Sequence, residues 1–178
     1  IKGIKTITPI QIKVEFTATQ LIATNIIGRI NNNASKTIVI GASYDHLGEN
    51  KNSNPATYFT GADNNASGVA LMLTLAKKIK KEDYKNYNFI FIAFSGHESG
   101  LMGSKAFLKN IDFPHNTIAC MIDINKVGLL KNNKMLTVEG TGSSRTWDEA
   151  LLGITTNLAI EAQKKTLSNS EFVDFYHQ

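Results

Sequence analysis

Three short stretches, TIVIGAS (37–43), NFIFIAF (88–94) and TIACMIDI (117–124), are apolar at almost every position. A run of that length without polar alternation has no face to offer water, so each reads as a strand buried on both sides. Such strands need helices above and below them, and the sequence supplies candidates. Over 67–81, Val69, Met72, Leu73, Ala76 and Ile79 recur at helical spacing, and Lys77, Lys78, Lys80 and Lys81 gather at the end where the helix dipole favours cations. A further helix is expected over 148–163, with Trp147 packing at its start. Buried strands alternating with helices predict an α/β sandwich.

The rest of the chain fits around that centre. Ile10, Ile12, Val14 and Phe16 alternate with polar residues, and LIATNIIGRI follows, so the opening is expected to form a hairpin. Residues 50–65 are rich in Asn, Gly, Pro and Ser and read as a loop. At 178 residues and 42% apolar, the chain has the material for one domain spanning 1–178. Its charge of +4 is dispersed, and the lysine cluster reads as a solvated helix face, so nucleic acid is not expected as a partner. The single Cys120 lies in an apolar run and reads as a small core residue. No stretch approaches the roughly 18 apolar residues of a membrane span. The chain opens on Ile1, so it is read as processed or trimmed at its start.

In an open α/β sheet, sites form beyond the carboxyl ends of the strands. There TIVIGA runs into Ser43, Asp45 and His46, FIAFSG into His97 and Glu98, and CMI into Asp123, Asn125 and Lys126, while GADNNASG adds Asp63, Asn64 and Asn65. Imidazoles and carboxylates delivered to one rim suit a zinc hydrolase, in which zinc takes His nitrogen and carboxylate oxygen and a nearby carboxylate deprotonates bound water. The same pattern also fits His46 and His97 as loop residues bonded to backbone.

The stretches NIIGRI, IVIGASYDHLGE, GADNNASGVALML, FIAFSGHESGLMGSKAF, MIDINKVG and GTGSSRTWDE resemble the successive motifs of the M28 family of zinc aminopeptidases. The resemblance implies a three-layer α/β/α sandwich around a central mixed sheet, with two zinc ions sharing a bridging carboxylate. Taken position by position, it places the bridging aspartate on Asp63, a zinc-binding glutamate on Glu98 and a supporting aspartate on Asp45. It places the general base on His97, where the family has glutamate. Three zinc-ligand positions fall on Ser43, Asn125 and Phe172, where the family has histidine, aspartate and histidine. Lys126 stands where the family usually carries an apolar residue. The family also continues past this point with a further strand and helix, so the domain is expected to be truncated at its C-terminal end.

A hydroxyl, an amide and a phenyl ring are poor or useless zinc ligands. The resemblance, with these departures, therefore implies a domain that has lost its dinuclear zinc site and its peptidase activity, with no cofactor, retained as a scaffold or as a module binding a peptide or protein. The alternative is an active metallo-aminopeptidase or related zinc hydrolase with a mononuclear site rebuilt from Asp63, Glu98 and His97 or His46. Resemblance alone implies an extracellular, periplasmic or membrane-anchored location.

Overall fold

The computed structural model describes residues 10–17, 20, 22–129, 135–154, 158–165, 170, 171 and 175. In chain order its strands are β1 (Ile26–Ile30), β2 (Thr37–Ser43), β3 (Glu49–Asn50), β4 (Thr57–Tyr58), β5 (Asn88–Phe94), β6 (Ile118–Asp123), β7 (Met135–Glu139) and β8 (Ala159–Gln163). Its α-helices are α1 (Gly68–Glu82), α2 (Met102–Lys109) and α3 (Thr146–Leu152). Four strands form a mixed sheet in the order β1-β5-β2-β6. β2 runs parallel to both β5 and β6, and β1 closes one edge antiparallel to β5.

Side-chain alternation divides the core into the two faces of this sheet. Ile90, Ile92 and Phe94 of β5 join Val39, Met121 and the α2 residues Phe107 and Leu108 on one face. Phe89, Phe91 and Ala93 join Ile40, Ala42 and Met72 of α1 on the other. The molecule is thus a three-layer α/β/α arrangement around a mixed sheet, as expected. At the centre of β2, Gly41 lies beneath Phe94 and Met121, and a Cβ there would fall 2.4 Å from the Phe94 ring.

Several expectations are corrected. Residues 10–17 form no strand, and Ile10 and Phe16 are 84% and 91% exposed, so the hairpin is not formed. Alternation can prepare a face, but a strand exists only where a ladder partner is found, and β1 spends its pairing on β5. β6 is less buried than its apolar sequence implies, with Ile122 exposed, because among the described residues it is the last strand of its sheet. The expected loop over 50–65 contains part of a short ribbon in which Glu49 and Asn50 pair with Tyr58 and Thr57. The expected helix over 148–163 stops at Leu152. Ala159–Gln163 instead pairs in parallel with β7, a non-local ladder overriding local helical propensity. Trp147 packs at the start of α3, its Nε1 donating to Ser143 Oγ at 3.0 Å. Among the described residues no helix is long and apolar enough to cross a membrane.

Gly41→Ala forces a methyl against two well-packed core side chains. It should lower stability by about 1–3 kcal/mol, the usual cost of overpacking, measured as a shift in urea midpoint at unchanged slope.

Candidate functional site

Because β2, β5 and β6 are mutually parallel, their carboxyl ends open onto one edge, and the polar residues that follow them meet there. The loops after β2 and β5 are tied directly. The Tyr44 amide donates to the Phe94 carbonyl at 2.9 Å. The backbone N–H of His97 donates to both carboxylate oxygens of Asp45, at 3.0 and 3.2 Å.

The approach to α1 is tied to the end of β6. Asn65, buried, donates through Nδ2 to the Ile124 carbonyl at 2.9 Å and to Ser43 Oγ at 3.4 Å. Its Oδ1 accepts from the Lys126 amide at 3.1 Å. Gly68 makes this approach possible, since a Cβ there would lie 2.4 Å from both the Asn65 Oδ1 and the Ile124 carbonyl. Asp63 Oδ1 accepts from the Gly128 amide at 2.8 Å and lies 3.4 Å from Ser67 Oγ, while the Ser67 hydroxyl donates to the Asp63 carbonyl at 2.7 Å.

The remaining groups separate into two sets. His46 Nδ1 comes within 3.5 Å of Glu98 Oε1 without making a hydrogen bond, and its ring meets Phe59 edge-on at 6.2 Å. His97 turns instead toward Glu171: its Nδ1 is 3.1 Å from Glu171 Oε1. Glu171 is fully buried, and its Oε2 accepts from Ser104 Oγ at 2.6 Å. Asp123 Oδ2 accepts from the Ser170 hydroxyl at 2.8 Å and the Glu171 amide at 3.2 Å. Among the predicted residues, therefore, Asp45 is joined to the backbone of His97, and Ser43 to the approach to α1 by way of Asn65. Asp63 is held by Gly128. Asn125 Oδ1 is buried with no hydrogen-bond partner among the described residues, Lys126 is exposed, and Phe172 lies outside them.

Glu171 and Ser104 were not singled out by sequence. The available signal was the segment SEFVDFY, in which Glu171 directly precedes Phe172, the position where the resemblance implies a zinc ligand.

The charges reflect these contacts. The hydrogen bond to Glu171 holds His97 above the usual imidazole range, against the opposing effect of burial, with Glu98 and Asp123 adding smaller attractions. Burial pushes Asp123 up to about 6, with Glu171 adding repulsion, while the bonds from Ser170 and the Glu171 amide pull it down. Zinc takes three or four nitrogen, sulfur or carboxylate donors. Ser43 and Asn125 bring neutral oxygens, Asp63 Oδ1 is occupied by an amide, and among the described residues no group of three His, Cys, Asp or Glu could hold a metal ion.

Since the folded-state pKa of Asp123 is raised, its contribution to stability is present below about pH 4 and is lost as pH rises through about 6. Asp123→Asn keeps an acceptor oxygen and cannot ionise. Its stability relative to wild type should therefore improve by about 1–3 kcal/mol between pH 4 and pH 8 in paired urea titrations, and a pH-independent difference would contradict this.

The comparisons with known proteins agree with the fold. A sequence model of peptidase family M28 matches residues 25–175. A probable zinc metalloprotease of Pyrenophora tritici-repentis is 35% identical over 91 residues, covering 49% of this chain and 20% of that protein. A probable zinc metalloprotease of Pyrenophora teres f. teres is also 35% identical over 91 residues, with 18% of its length covered. The chain thus spans about a fifth of these curated relatives. Among solved structures, LapB from Legionella pneumophila superposes with a TM-score of 0.67 at 21% identity, over 85% of this chain and 41% of that one. BSAP, a zinc aminopeptidase from Bacillus subtilis, gives 0.64 at 23% identity, over 86% and 37%. With its mixed sheet between helices and a family match running from just before β1 to Phe175, the chain belongs to peptidase family M28.

Proposed function

We propose that this M28 domain has lost its dinuclear zinc site and peptidase activity and serves as a scaffold or binding module for a peptide or protein, without a cofactor. The observation that carries the reading is the bond between His97 and the fully buried Glu171. On the resemblance, His97 occupies the position of the general base. A general base must reach the proton it removes, directly or through one water. Here the imidazole is only 11% exposed, and the Glu171 carboxylate on its Nδ1 favours the protonated ring, which has no lone pair left to take a proton. Ser43 and Asn125, at ligand positions, offer only neutral oxygens, which supports the loss of metal as well.

A surface suited to binding persists nearby. Leu47, Tyr58 and Phe59 are 53%, 71% and 44% exposed; Phe59 meets the His46 ring edge-on, and Tyr58 pairs with Glu49 in the ribbon of β3 and β4. Exposed aromatic groups beside an aliphatic one are a composition enriched in protein-binding patches.

A second reading rests on the His46–Glu98 contact. That pair supplies two donors, and with a third it would make a mononuclear zinc hydrolase. It predicts that bound metal is lost on Glu98→Ala. Metal analysis and an aminopeptidase assay on the same purified sample separate the two readings. We expect well under one zinc ion per chain and hydrolysis at background; stoichiometric zinc with turnover would overturn the first reading.

A further inference from the structure

Glu171 has no exposed surface, and a carboxylate out of contact with water is costly unless its partners replace the water. Its partners are drawn from separate parts of the fold. One oxygen meets His97 after β5, and the other meets Ser104 in α2. The Glu171 amide and the Ser170 hydroxyl both donate to Asp123 at the end of β6. The His97 backbone in turn donates to Asp45 after β2. Two consecutive residues of the C-terminal segment thus connect the ends of all three parallel strands and a helix on one face.

We propose that Ser170 and Glu171 form a metal-independent clasp over the strand ends, in which His97 and Glu171 are an obligate pair. A bound metal ion commonly cross-links a fold by gathering ligands from separate elements. Here hydrogen bonds converging on two carboxylates do that gathering. A glutamate in place of His97 would set two carboxylates against each other across the 3.1 Å that now separates Nδ1 from Oε1. The imidazole at this position is therefore the partner that Glu171 requires in this chain. The comparison with a metal cross-link rests on the metal-free reading above; the pairing of His97 with Glu171 does not.

The test is urea unfolding of the whole chain in the presence of EDTA. His97→Glu should lower the folding equilibrium constant by about 100-fold or more, as expected when a buried charge loses its partner. His97→Glu combined with Glu171→Gln, which lets the new amide donate to the new carboxylate, should recover at least about tenfold of that loss. If the single variant does not fold while the double variant does, the pairing is equally supported. A single variant as stable as wild type, or a double variant no better than the single, would overturn it. Wild type is then titrated with zinc: an unchanged midpoint supports metal independence, and a saturable rise overturns that part while leaving the pairing result intact.

Discussion

The parallel pairing of β2 with β5 and β6 is the constraint from which the site follows. Parallel neighbours end on the same side of a sheet, so Ser43, Phe94 and Asp123 come together although they are dozens of residues apart. α1 and α2 then cover opposite faces, because β2 and β5 alternate apolar side chains toward both. The sheet sets where the polar loops converge, and the loops' own hydrogen bonds decide what that convergence becomes.

What it becomes is a set of carboxylates turned inward to the protein. Asp45 and Asp63 accept from backbone amides, and Asp123 accepts from the C-terminal segment. Glu171 closes on His97 and Ser104. Each of these oxygens performs the work of a turn or cap, holding a loop at its angle of departure from the sheet. The cores on both faces of the sheet and the amides bonded to these carboxylates together set the geometry of the loops.

Much of this was legible in the sequence, for identifiable reasons. The apolar runs of β2 and β5 and the helical spacing of α1 depend on burial periods, which local pattern records faithfully. Residues 10–16 and 159–163 were misread because strand identity depends on a distant partner, and alternation or helical propensity says nothing about who that partner is. The rim residues follow from the ends of the apolar strands and their expected roles from the resemblance, but their contacts were not foreseeable. That Asp45 would receive the His97 amide, or that Glu171 would be wholly enclosed, depends on side-chain directions at the ends of three separate strands. Glu171 was hidden as well by its setting, a short polar segment far from the apolar runs that drew attention.

The opening segment has a consequence for handling the protein in solution. Ile10, Ile12, Val14 and Phe16 stand exposed, and between them Lys13 and Glu15 pair with each other. A short alternating stretch of β-branched and aromatic residues with little net charge is the composition from which cross-β stacking starts. The two charges cancel each other in the pair and so give little mutual repulsion between neighbouring molecules. In concentrated samples, self-association would begin at these exposed residues.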